Sequence, residues 1–187
     1  MTTHRVADEA RGLPRESTSA RIRYAVAGAA VLWFGAFVWA VVTLPDRVPT
    51  QFAFAGQPTS WSSRAGTLTV MVGAAAVLAL PAALSPWVLF RSPGAINAPN
   101  RQWWTATPAR FRRFERLMRE DLLLFAAAGL LLMAVGQAGI TVAANSASGA
   151  MPPWLMPTML APLAGLVVVF VRMTGAGGRY AEQPGLD

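Results

Sequence analysis

Leu44-Pro45-Asp46-Arg47-Val48-Pro49-Thr50-Gln51-Phe52-Ala53-Phe54-Ala55-Gly56-Gln57-Pro58-Thr59-Ser60-Trp61-Ser62-Ser63-Arg64 is a polar stretch, dense in turn residues, between two long apolar runs. Pro45 cannot continue a helical ladder, so the first apolar run ends there. Pro45 and Pro49 bracket a rigid, extended exit. Gln51-Phe52-Ala53-Phe54 alternates as a short strand would, with both phenylalanines on one face. Ala55-Gly56-Gln57-Pro58 is a turn signal. The stretch predicts a small hairpin or ordered lid between two membrane spans. A bare chain reversal would need far fewer residues. Asp46 and Arg47 are expected to pair with Arg64 or with phospholipid head groups.

The apolar runs on either side set the fold class. The 187-residue chain is 54% hydrophobic and 13% charged, about half the charge of an ordinary soluble domain. The apolar residues gather in four blocks, at about 24–44, 66–90, 122–144 and 154–171. Each is near the length that crosses ~30 Å of hydrocarbon. The predicted fold is therefore an all-α integral membrane protein with four transmembrane helices. Residues 1–20 show no periodicity and read as a disordered tail, and residues 173–187 as a flexible one. The first apolar run is too long for the h-region of a signal peptide, and no clean small-x-small site precedes Pro45.

Within the spans, Ala75, Ala79 and Ala83 recur every four residues and predict a stripe for close helix approach. Pro81 and Pro86 are expected to kink or end the second span. Pro157 and Pro162 interrupt the fourth, and broken helices expose carbonyls that ligands or neighbours take up. Gln137 is the one strongly polar side chain of the third span. Such a residue more often makes an interhelical hydrogen bond than binds a substrate.

Between spans two and three lies a long polar segment. Thr107-Pro108 is a helix start, a capping hydroxyl followed by proline at the first helical position. From there Phe111, Phe114, Leu117 and Met118 share one face and the arginines the other. This predicts a basic amphipathic cytoplasmic helix continuous with helix three, with Glu115 and Arg119 paired one turn apart. Its Arg110, Arg112, Arg113 and Arg116 are expected to meet the anionic inner leaflet.

Orientation follows from arginine counts: five before the first span, seven between spans two and three, two after the fourth, and two in the 44–64 stretch. The positive-inside rule puts both termini in the cytoplasm and the 44–64 stretch outside. Trp39, Trp61 and Trp154 would mark the outer interface, and Trp87, Trp103 and Trp104 the inner one.

Several functions are argued against. There is no cysteine, and the single histidine, His4, lies in the N-terminal tail. Thiolate and histidine chemistry, catalytic or metal-binding, is therefore not expected, and neither is any cofactor. The net charge of +7 flanks membrane spans, so topology explains it better than nucleic acid.

The stretch Leu44-Pro-Asp-Arg-Val-Pro-Thr-Gln-Phe52, with Gly56-Gln-Pro58 and Trp61-Ser-Ser-Arg64, resembles the bacterial membrane family catalogued as domain of unknown function 1648. Ile96-Asn97-Ala98-Pro99-Asn100-Arg101-Gln102-Trp103-Trp104 is similar to a segment found after the second span in many members. Gln51 stands where the family has histidine and Arg64 where it has lysine, so any chemistry that needs the histidine is lost here. The family includes the immunity and signalling protein of the sporulation-delaying toxin system. The resemblance implies a non-enzymatic sensing, immunity or interaction protein of the bacterial plasma membrane. Its recognition residues would be Pro45, Asp46, Arg47, Pro49, Gln51, Phe52, Gly56, Pro58, Trp61 and Arg64. Asn97, Pro99, Asn100, Trp103 and Trp104 would form a cytoplasmic turn that docks the basic helix or presents a partner surface. A transporter subunit, with Gln137 near the substrate path, and a structural subunit of a larger complex are the alternatives.

Overall fold

A computed structural model of the chain describes residues 2–174, 178–183 and 185–186. In chain order the elements are α1 (Thr3–Gly12), α2 (Ala20–Thr43), β1 (Arg47–Phe52), β2 (Pro58–Ser63), α3 (Arg64–Arg91), a 3₁₀ turn (Pro93–Ala95), α4 (Arg101–Trp104), α5 (Pro108–Ala144) and α6 (Leu155–Thr174). Helices α2, α3, α5 and α6 are each long and apolar enough to cross a membrane, so this is a multi-pass membrane protein. The departure from an all-α chain is the antiparallel pair β1–β2.

Helix α5 is the centre of the bundle. Thr107 caps it, accepting a hydrogen bond from the Arg110 amide at 3.4 Å, and Pro108 opens its first turn. It runs unbroken for 37 residues, about 55 Å. It packs against α2, α3 and α6, whereas α2 and α3 meet only slightly and α6 touches neither among the described residues.

Glycines on α5, not alanines on α3, bring the helices close. A Cβ on Gly129 would lie 2.9 Å from Leu78 of α3, and one on Gly139 would lie 2.6 Å from Leu155 of α6. Among the described residues, no helix of this chain packs on the full alanine stripe. Ala75 is buried, but Ala79 and Ala83 are exposed, because the face of α3 turned to α5 carries Thr67, Met71, Ala82, Ser85 and Leu89 instead.

The prolines do not end α3, which continues through Pro81 and Pro86 to Arg91. Pro86 has no N–H for the Ala82 carbonyl four residues back. The Ser85 hydroxyl donates to that carbonyl at 3.1 Å instead. Helix α6 likewise runs through Pro162 without interruption.

The N-terminal segment and the described part of the C-terminal one differ from expectation; residues 175–177, 184 and 187 of the expected flexible tail lie outside the described residues. Residues 3–12 form a helix whose Val6, Ala7 and Ala10 are buried. They join Leu89, Phe90, Ile96, Trp104, Phe111, Phe114, Leu117 and Tyr180 in one apolar cluster. The face of α5 expected to lie on a leaflet is therefore covered by protein. In the C-terminal segment, Arg179 and Tyr180 are held against α5. A second cluster at the opposite end joins Ala40 and Leu44 to Val48 and Met71.

Candidate functional site

The 44–64 stretch folds as a hairpin pinned at base and tip. Register runs Arg47↔Ser63, Val48↔Ser62, Pro49↔Trp61, Gln51↔Ser60 and Phe52↔Pro58, so Thr50 and Thr59 are each one residue out of step. At the base, Val48 and Pro49 are fully buried, Val48 against Ala40, Leu44 and Met71. Ser63 caps α3 by accepting from the Gly66 amide at 3.1 Å. The Arg64 amide donates to the Asp46 carbonyl at 3.0 Å, and its guanidinium donates to the Val41 carbonyl. Arg64 thus covers an orphan carbonyl in the last turn of α2. Among the described residues the expected Asp46–Arg64 ion pair does not form, and the two residues meet through this backbone hydrogen bond instead.

At the tip, the Ala53 amide donates to Gln57 and the Gly56 amide to Ala53, both at 2.8 Å. Gly56 sits at φ +84°, where a side chain would be strained. Its carbonyl accepts from the Met151 amide at 2.8 Å, which ties the turn to the α5–α6 loop. Trp61 reaches the same loop, since a Cβ on Gly149 would lie 3.1 Å from its ring. The strand lies further toward the N-terminus than the alternation suggested. Phe52 ends β1 half-buried, whereas Phe54 falls in the turn and is fully exposed. Burial of Val48 sets the register, and this overrides the local pattern. Pro45, Asp46, Arg47, Gln51 and Trp61 are exposed; Gly56, Pro58 and Arg64 are half-buried.

The second motif closes on the C-terminal segment. Asn97 is exposed and Pro99 half-buried. Asn100 adopts the left-handed conformation at φ 54°, and its side-chain amide donates to the Tyr180 carbonyl at 3.1 Å. Trp104 is not an interface indole. It is fully buried and its Nε1–H donates to the same carbonyl at 3.0 Å. Trp103 packs edge-on against Trp104, with the Arg110 guanidinium 4.2 Å from its ring centroid.

The arginines of α5 are spent within the chain. Arg112 donates to the carbonyls of Leu13 at 3.0 Å and Pro14 at 3.2 Å. Arg113 and Arg116 bind Glu16 at 2.8 and 3.0 Å. Arg119 pairs with Glu115 and donates to the Glu16 carbonyl at 2.6 Å. Glu120 accepts from the Ser19 amide and pairs with Arg116 and Arg179. Asp121 is flanked by Arg172 at 3.1 Å and Arg179 at 3.3 Å and accepts from the Tyr180 hydroxyl. Burial of these carboxylates is tolerable only because each has cationic partners. Burial raises the pKa of Glu16, but hydrogen bonds and charge from Arg113 and Arg116 together outweigh it and hold that carboxyl below its usual value.

Glu16, Arg179 and Tyr180 had escaped the sequence reading. The one local signal was Tyr180 itself, a lone aromatic in a Gly-rich tail. Gln137 also departs from expectation. It is 3% exposed, and among the described residues neither side-chain amide atom has a hydrogen-bond partner; the same holds for the hydroxyl of Thr141 one turn on. Among the described residues, no three or more His, Asp or Glu side chains gather so as to hold a metal ion.

Residues 28–76 match the family described as Domain of unknown function (DUF1648). The match covers most of α2, the whole hairpin and the first half of α3, and stops short of Asn97–Trp104. Neither the curated proteins nor the solved structures contain a match to this chain.

Proposed function

We propose that this is a non-enzymatic sensing, immunity or interaction protein of the bacterial plasma membrane. Both termini lie in the cytoplasm, and the hairpin recognises a peptide, lipid or envelope partner outside. The observation that carries this reading is Phe54, wholly exposed on a turn whose Gly56 carbonyl is bonded to Met151. A phenyl ring held bare on a rigid turn gains nothing from the rest of the chain. A preorganised aromatic is what a partner's pocket takes up with little ordering cost. Gln51, exposed on the same hairpin, offers a further amide donor and acceptor.

The arginine asymmetry supports the orientation. The basic half of α5 then lies on the cytoplasmic side, binding both terminal segments. A periplasmic reporter fused after Ser60 should be active and one fused after Asn100 silent; the reverse pattern overturns the orientation. For recognition, a photo-crosslinking phenylalanine analogue at position 54 should give a discrete adduct in intact cells. Gly149→Val, which displaces Trp61 from the loop, should abolish it. An adduct indifferent to Gly149→Val, or none at all, refutes recognition by the fixed tip.

A further inference from the structure

The structure points to a lipid site away from the arginines of α5. Arg11 of α1 and Arg91 at the end of α3 converge on a cleft of about 460 Å³ whose floor is Pro86, Trp87 and Phe90. We propose that this cleft holds the phosphodiester of an anionic glycerophospholipid.

Three observations carry this. First, the cleft has two guanidinium groups on separate elements, each set in place by a different contact. Arg11 donates to the Phe90 carbonyl at 3.1 Å and lies 5.8 Å from the Phe90 ring centroid. Arg91 lies 5.2 Å from the centroid of the Trp87 indole. Second, their charge is available. Among the described residues no carboxylate pairs with Arg91. The nearest to Arg11 is Asp8 at 3.9 Å, with both side chains mostly exposed, where screening makes such a pair weak. Third, the depth is right. The apolar run of α3 ends here, and the half-exposed Trp87 indole marks the headgroup level. Below it the exposed side chains of Leu80 and Leu84 face lipid. They also border an apolar groove of about 450 Å³ closed by Met118 and Leu122 of α5, which suits an acyl chain.

Two cations around one phosphate select for net negative charge. A choline headgroup would bring its own cation against the second guanidinium and lose that advantage. This assignment is independent of the hairpin's role and needs only the membrane location.

The test is native mass spectrometry of the full chain released from detergent, titrated with phosphatidylglycerol or phosphatidylcholine of matched chains. Wild type should prefer phosphatidylglycerol by on the order of tenfold. Arg91→Gln should remove most of that preference, and Arg11→Gln with Arg91→Gln all of it. Arg101→Gln, an exposed control at the same end, should keep it. Because Arg11 also secures α1, Arg91→Gln alone decides the question if the double variant unfolds. Excess free glycerol phosphate should not displace the lipid. Equal binding of the two lipids, an unchanged Arg91→Gln variant, or displacement by glycerol phosphate would each overturn the proposal.

Discussion

The phenolic hydroxyl of Tyr180 donates to the Asp121 carboxylate at 2.9 Å, a buried contact that joins residues 59 positions apart. Asp121 is fully buried and Tyr180 nearly so. Burial first, and then the charge of Asp121, push the phenol well above its ordinary pKa, so it remains a donor across physiological pH. Tyr180→Phe deletes the donor and leaves a buried carboxylate oxygen short of one partner. The expected cost is about 1–3 kcal/mol. It should appear as a lower unfolding temperature in detergent and as faster tryptic cleavage after Arg179. Unaltered cleavage would mean that the Tyr180 carbonyl, held by Asn100 and Trp104, secures the segment alone.

The linker between α1 and α2 should loosen on acidification. Despite burial, Arg113 and Arg116 hold the folded-state pKa of Glu16 below the ordinary carboxylate value. Its contribution is therefore complete above that value and is lost as pH falls through the lower, folded value. The chain has no cysteine, so Ser17→Cys gives a unique spin-label position on an exposed residue. Label mobility should be constant from pH 8 to 5 and rise only as the pH falls below the ordinary carboxylate range. Glu16→Gln should raise the mobility at neutral pH and flatten the profile.

How far the chain could be read in advance depended on whether the signal was local. The four spans were legible because uninterrupted apolar runs of that length have few other uses. The hairpin was legible from Gly56 and Pro58, but its register was not, because that depends on Val48 packing against Ala40 and Met71. Helix α1 was invisible because Val6, Ala7 and Ala10 make too small an apolar face to stand alone. They become a core only when Phe111, Phe114 and Tyr180 cover them. Arginine counting reported the sign of charge along the chain. It could not show that Arg113 and Arg116 find Glu16 about a hundred residues away.

Helix spacing should be sensitive to one methyl group. A Cβ on Gly139 falls 2.6 Å from Leu155, inside van der Waals contact. Gly139→Ala should lower stability by about 1–3 kcal/mol through overpacking. Leu155→Ala should recover part of that loss in the double variant, giving a non-additive cycle by thermal unfolding. Additive losses would show that the two residues do not meet.

The contact between the hairpin tip and the α5–α6 loop can be locked covalently. A Cβ on Gly56 would lie 3.6 Å from the Cβ of Met151, within the range a disulfide spans. Gly56→Cys with Met151→Cys should therefore crosslink under mild oxidation, despite roughly 1–2 kcal/mol of strain from a side chain at positive φ. The crosslink should register as a mobility shift reversed by reductant. A shift of the same size in Gly56→Cys alone would trace it to another cause.

Gln137 should be better replaced by a hydrocarbon. Its amide is buried on the central helix, with neither the nitrogen nor the oxygen bonded among the described residues. An unmet amide costs about 1–3 kcal/mol, and leucine of similar volume removes that cost while keeping contacts. Gln137→Leu should leave the unfolding temperature unchanged or raise it by a few degrees. Gln137→Ala should lower it, because the vacated volume is not refilled. A polar substrate path would behave in the opposite way. There the amide would be solvated or liganded in the working protein, and leucine would cost function however well it packed. A stable Gln137→Leu variant that keeps hairpin crosslinking would separate recognition at the hairpin from any route through the bundle. A destabilised one would mean that the amide has a partner beyond the described residues.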